Sequence, residues 1–309
     1  EGIPDGIKTS DNKWSTAGHR DRSMHISRNE LANFSKLFDP AGTSPLEARL
    51  PALHTRQLLR ILKIFAAHSF HLKDLTEANY LSTEMWNETG RQKDHTIYRS
   101  TGFINNDKDF ILSGPHFHIA TPFSKTPREV CRLNSDYDTI DLTTIPNNYM
   151  PRVNYKPDCD LNTYQHKIPS VPWDPSKKVT DYFRYINRRQ LSQAGQRTLL
   201  PALLMKEVGH IDGVLSIVFK DTINAVLIAG TNASIPLDFW IKSTGKGDCR
   251  ADLAQHFPIV DPNSANASKI IVHSLALNCL TTHYADLWYK RWDDAFHSER
   301  WSSDDTRLN

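Results

Sequence analysis

Cysteine is scarce and scattered in this chain. Cys131, Cys159, Cys249 and Cys279 are the four among 309 residues, and no two form a Cys-x-x-Cys pair. That spacing argues against a structural zinc site. A chain of this length does not require a disulfide framework either, so all four read as reduced cytoplasmic thiols. No apolar run approaches the roughly 18 residues of a membrane span. The opening Glu1-Gly-Ile-Pro-Asp-Gly6 has neither a basic nor an apolar leader region, so no signal peptide is visible. A formal charge of +2 does not by itself point to a polyanionic partner; only clustering of the basic residues would. Repeats and low-complexity stretches are also lacking. What remains is 39% hydrophobic and 10% aromatic residues, the composition of a globular protein with core enough for one large domain or two ordinary ones.

Residues 1–26 are polar and read as an exposed arm or linker, with Trp14 as the one large aromatic. Ser27-Arg-Asn-Glu30 has the capping-box spacing, and Leu31, Phe34, Leu37 and Phe38 follow on one helical face. A second helix is predicted over His54–His68, where Leu58, Leu59, Ile61, Leu62 and Phe65 make a broad apolar stripe. From Tyr80 to Tyr155 the pattern turns to short strands and loops. Trp173-Asp-Pro-Ser176 reads as a turn. Val179–Leu191 reads as a helix with Tyr182, Tyr185, Ile186 and Arg189 on one side and Arg184 and Arg188 on another. Strands are predicted at Arg197–Met205 and Val214–Phe219, and Asn224–Ala229 fits helix or strand. Phe239-Trp-Ile241 is a strand-like run ending at Gly245, and Ile270–Phe296 reads as one long helix. The expected fold class is therefore α+β, with N-terminal helices, a strand-rich middle and a long C-terminal helix. A boundary near Pro169–Pro175 would divide residues 27–172 from residues 173–309.

The densest chemistry lies in Ile111–Lys156. Strand-favouring Phe110, Leu112, Phe117 and Ile119 alternate with Pro115, Pro122, Pro127, Pro146 and Pro151. Short strands joined by stiff loops should then carry Lys125, Arg128, Arg132, Arg152 and Lys156. Planar guanidinium groups beside amide and aromatic side chains suit phosphates and base edges, although a proline-rich loop decorated with charges looks the same in sequence. A second basic cluster, Lys177, Lys178, Arg184, Arg188, Arg189 and Arg197, faces one acid, Asp181.

These blocks carry a resemblance. Ser113-Gly-Pro-His-Phe117, Pro122–Pro127, Tyr137–Thr143 and Pro151–Tyr155 come in an order that resembles the region downstream of the catalytic domain in large N6-adenine DNA methyltransferases of restriction-modification and BREX-like phage-defence systems. The likeness continues through Arg197-Thr-Leu-Leu-Pro-Ala202, Asp238–Asp248 and Leu277–Trp288, from about Leu46 onward. The resemblance implies a target-recognition region that binds double-stranded DNA beside an upstream methylase domain. Phosphate contacts would set register and base contacts would read the site, helping the partner domain extrude adenine. The DNA-facing residues it implies, taken with the charge pattern, are Lys125, Arg128, Arg152, Asn154, Tyr155, Lys156, Arg184, Arg188, Lys242 and Lys246. Arg152 is the first choice for base reading, since Pro151 stiffens its backbone and Asn154 and Tyr155 flank it.

Two elements of a methylase are not found. Ile145-Pro-Asn-Asn-Tyr149 lacks the Pro-Pro of a methylase adenine loop, and no Gly-x-Gly turn follows a strand in the first hundred residues. S-adenosylmethionine is thus expected with the parent enzyme's catalytic domain and no cofactor with these residues. A start at Glu1 without an initiator Met fits a fragment or a processed product. Gly245-Lys-Gly247 has suitable glycine spacing, but a plain turn accounts for it equally well.

Two further expectations stay open. His116-Phe-His118 would put two imidazoles on one strand face, a spacing that can serve a metal. Asp158, Asp160 and Lys167 faintly resemble a magnesium-dependent nuclease, and a protein-interaction scaffold built on the C-terminal helix is a third class.

Overall fold

The structure, a computed structural model, describes residues 9–11 and 13–300. Helix α1, Arg28–Phe38, starts at Ser27, whose backbone N–H donates to the Glu30 carboxylate at 2.9 Å while its hydroxyl accepts from the Asn29 N–H. Two otherwise orphaned N-terminal donors are satisfied in this way. Phe34 and Leu37 turn inward from α1 and pack on α2, Arg56–Ala67, which buries Leu59, Leu62 and Ala66. The predicted arm is not wholly free. Asp21 is buried, accepting from Gln57 Nε2 at 2.7 Å and pairing with Arg56, so the segment before α1 is pinned to α2.

The chain then runs through β1 (Tyr80–Thr83), α3 (Glu88–Lys93), β2 (Ile97–Gly102), β3 (Ile111–Leu112), β4 (Lys125–Pro127), β5 (Tyr137–Thr139), β6 (Val153–Pro157), α4 (Leu161–Lys167), β7 (Ser170–Val171) and β8 (Asp174–Lys178). The second half holds β9 (Arg184–Arg188), β10 (Pro201–Leu204), β11 (Gly209–His210), β12 (Val214–Phe219), α5 (Thr222–Asn232), α6 (Ile235–Ser243), α7 (Ala251–Ala254), α8 (Ala267–Asn278) and α9 (Ala285–Arg291). This is the α+β class.

One four-stranded antiparallel sheet organises it, in the order β1-β12-β9-β10. Tyr80 pairs with Phe219, Val218 with Arg184, and Arg184 with Leu204. Every residue of β12 is buried, because both sheet faces are covered. Ile217 and Phe219 join the larger core with α5 and α8, while Val218 joins a smaller cluster with Trp86, Ile111 and Tyr164. Burying each such side chain is worth roughly 1.5–3 kcal/mol. The close approach of α8 to α5 depends on Gly230. A Cβ there would lie 2.7 Å from Ile270 Cγ2 and 3.2 Å from Ser274 Cβ.

Three sequence expectations are corrected. Val179–Leu191 is not a helix: a single helical turn leads into β9, where Arg184, Tyr185, Ile186 and Asn187 are all buried between β12 and β10. Phe239–Ile241 is helical, inside α6, whose N-cap Ser234 accepts from Leu237 and whose Pro236 sits in the first turn. The long C-terminal helix is two helices, α8 and α9, broken at Cys279–Tyr284. Across the boundary drawn near Pro169–Pro175, which could also divide subdomains, β1 pairs with β12, and one apolar cluster runs from Phe34 to Leu287.

Candidate nucleic-acid interface

Strands β2 and β6 form a two-stranded ribbon outside the main sheet, with Tyr98 opposite Lys156 and Arg99 opposite Tyr155. Cross-strand neighbours share a face, so Tyr98 goes with Lys156 and Arg99 with Tyr155. Below the ribbon, Ile97 and Val153 are buried and anchor it. Asn154 is buried too. Its Nδ2 donates to Tyr137 Oη at 2.8 Å and lies 3.1 Å from Cys131 Sγ, and its Oδ1 accepts from Thr101. Asn154 ties the ribbon to β5 and has no amide left to read a base, which corrects its place among the expected contacts.

Arg152 enters this ribbon from a fixed backbone. Its N–H donates to Thr126 Oγ1 at 3.0 Å, and its carbonyl lies 2.8 Å from His116 Nε2. The guanidinium carbon sits 4.8 Å from the centre of the exposed Phe103 ring, and Nη2 lies 3.6 Å from the highly exposed Glu129. Lys156 Nζ donates to the Phe103 carbonyl at 3.0 Å. Arg99 Nη2 donates to the carbonyls of Cys131 and Arg132, both at 2.9 Å, holding the loop that follows β4 against the ribbon. Lys125 and Arg128 flank the same place. Lys125 is half-buried in β4, and Arg128 Nε pairs with Asp138 at 2.8 Å across the exposed β4–β5 hairpin. Burial raises the Tyr155 pKa and keeps the phenol neutral.

Of the ten expected residues, Arg152, Tyr155 and Lys156 lie on or beside the ribbon, and Lys125 and Arg128 lie on the adjoining β4–β5 hairpin. Arg99, Tyr98 and Phe103 complete the group and were not among the expected site residues. Their signal was the alternating Ile97-Tyr-Arg-Ser-Thr-Gly-Phe103, a strand carrying an arginine between aromatics.

The other residues lie elsewhere. Arg184 is fully buried, donating to the Val208 carbonyl and lying 3.5 Å from Met85 Sδ. Burial pulls its pKa down to about 9, and no ion pair accompanies it among the described residues. No phosphate can reach it, so Arg184 is corrected from surface contact to core. Arg188 is mostly buried and spends Nη2 on the Phe117 carbonyl at 2.6 Å. Lys242 Nζ donates to the Gly195 carbonyl at 3.0 Å, and Lys246 Nζ pairs with Asp252 at 2.7 Å. Gly245, at φ +66°, ends α6 in the left-handed conformation that favours glycine. The Gly245–Gly247 stretch is therefore a helix stop that opens no nucleotide-binding helix.

The metal and nuclease expectations meet a different geometry. His116 lies in a buried turn bonded to Ser113 and to the Arg152 carbonyl, with burial drawing its pKa down to about 4, while His118 is exposed. They share no strand face. Asp158 contacts His95 Nδ1 at 2.8 Å, Asp160 caps α4 through the Thr163 N–H and hydroxyl, and Lys167 Nζ donates to Thr96 Oγ1 at 2.7 Å. Among the described residues, no group of three or more His, Cys, Asp or Glu side chains is placed to hold a metal ion. Nor is any helix among them long and apolar enough to cross a membrane. A comparison with protein-family models and with curated proteins returns no match.

Proposed function

We propose that this chain is a double-stranded DNA-binding, target-recognition unit that serves an N6-adenine methyltransferase domain, and that the β2–β6 ribbon is its reading element. One observation carries this reading. Arg99 and Lys156 stand on the two faces of a two-stranded unit apart from the central sheet, with Arg152 and the exposed Phe103 beside it and Arg128 on the adjoining β4–β5 hairpin. A two-stranded ribbon fits the B-DNA major groove, and arginine makes the bidentate contact to guanine there. One of the sequence blocks that resemble the methyltransferase region, Pro151–Tyr155, falls on this ribbon. Methyl transfer and S-adenosylmethionine belong, in this reading, to the partner catalytic domain. These residues contribute register on the backbone and discrimination between sites.

Fluorescence anisotropy with labelled duplexes, at two salt concentrations, tests it. Arg152→Ala should lose about 1–3 kcal/mol on a preferred site and much less on scrambled duplex. Lys156→Ala should weaken all duplexes alike and reduce the salt slope by about one. If wild-type chain shows no salt-dependent duplex binding, or both variants bind like wild type, the ribbon is not the DNA-reading element.

A further inference from the structure

The segment that leaves α2 pairs with the chain after α7. Leu72 N–H donates to the Phe257 carbonyl at 2.9 Å, Lys73 N–H to the Gln255 carbonyl at 2.9 Å, and Ile259 N–H to the Phe70 carbonyl at 3.0 Å. Beside this pairing, against the end of α1, lies a cavity of about 230 Å³ whose polar lining includes Lys36, Ser69, His71, Lys73 and His256. Four of those five side chains are basic. The one carboxylate on the wall is Asp74, which already accepts the His71 N–H at 2.7 Å and lies 3.6 Å from His71 Nδ1.

The imbalance shows in the imidazoles. Burial first, then Lys73, His71 and Lys246, draws the His256 pKa down to about 4 against the opposing pull of Asp252. Burial, His68, Lys73 and Lys36 lower His71 in the same sense, with Asp74 opposing. Burial and the neighbouring ammonium groups keep these rings neutral, and an anion in the cavity would offset those charges. Trp240 adds to the lining, and its buried indole N–H has no acceptor among the described residues.

We propose that this cavity binds a phosphate-class oxyanion, with Lys36 and Lys73 supplying charge and Ser69, His71 and His256 supplying directed donors. Charge-assisted hydrogen bonds of this kind are the strong ones. The anion is a free phosphate or a backbone phosphate of nucleic acid; the recognising chemistry is the same. No cavity residue belongs to the β2–β6 ribbon, so this proposal stands independently of the DNA-reading one.

The test follows the imidazole resonances of His71 and His256 in the full chain. Inorganic phosphate is titrated at constant ionic strength, and a short duplex is titrated separately in phosphate-free buffer. Saturable shifts of both rings are expected, with the phosphate midpoint weakened roughly tenfold in Lys73→Gln and unchanged in the control Lys177→Gln. Both lysines are exposed, so neither change threatens the fold. Shifts with duplex alone, lost in Lys73→Gln, would assign the cavity to a nucleic-acid backbone. No shift with either titrant, or a Lys73→Gln midpoint equal to wild type for whichever titrant shifts the rings, overturns the proposal. Arg152→Ala should leave the phosphate titration intact whatever it does to duplex binding, so the two proposals can fail separately.

Discussion

On the central strand β9, the Arg184 guanidinium is sealed under the sheet against the Val208 carbonyl and Met85. On the ribbon, the Arg152 guanidinium lies over an exposed phenylalanine with solvent beside it. The two stretches differ little in local sequence, since each sets an arginine among aromatics and asparagine. What separates them is the number of covered faces. Strand β9 has strands on both edges and packed layers above and below, so even its charged residue becomes part of the core. The ribbon is covered on both faces only at its Val153–Asn154 end, while Tyr98 and Arg99 stay exposed. A basic residue can be judged a contact for a polyanion only after its depth is known.

The largest test of this contrast is acid. His210, beneath β12, accepts or donates at Ser216 Oγ over 2.7 Å, and burial lowers its pKa to about 3; burial lowers His116, beneath the ribbon, to about 4. The fold holds both rings neutral. Stability should therefore be complete above the unfolded value of about 6.5 and fall as pH drops toward 4 and then 3. Each ring adds a slope approaching 1.4 kcal/mol per pH unit, several kcal/mol together. Urea unfolding at pH 7.5, 5.5 and 4.5 reads it. A midpoint that stays flat across that range would show that the two sites are not dry.

Next in size is Arg184→Ala. It leaves a cavity and strands the Val208 carbonyl, costing about 3 kcal/mol by chemical denaturation. The remaining folded protein should bind duplex as wild type does. Lost affinity without lost stability would move Arg184 back to the surface.

The smallest effect sharpens the ribbon side. The Arg128–Asp138 pair is more than half exposed on both members, so Arg128→Ala should leave the unfolding midpoint close to that of wild type. Any larger effect of this substitution should appear in duplex affinity. A stability loss near that of Arg184→Ala would erase the distinction between the two regions.

Some of the fold was legible because its cause is local. The Ser27–Glu30 capping box and the α2 stripe act within one or two turns, and both elements form where expected. Helix α6 was missed because the aromatic Phe239–Ile241 run looks strand-like, although Ser234 caps the helix and Pro236 sits in its first turn. Strand β9 was hidden for a different reason. Tyr182, Tyr185, Ile186 and Arg189 fall at helical spacing, while a strand buried on both faces has no polar alternation to reveal it. The break between α8 and α9 has no glycine or proline. There Asn278 turns its Oδ1 to the Leu203 N–H at 2.8 Å and its Nδ2 to the Ser274 carbonyl, docking the end of α8 onto β10. No neighbour in sequence could foretell that partner.

By itself, the sequence determined the starts of α1 and α2, the α+β class and the stiff, basic character of 111–156, because capping, periodicity and proline act over a few residues. Only the tertiary structure decided which cations face outward. It sank Arg184 and Asn154, tied Lys242 and Lys246 to Gly195 and Asp252, and drew Arg99 and Phe103 beside Arg152 and Lys156. Depth and partnership come from strands and helices that meet across long separations, and those meetings are set by packing the whole core at once.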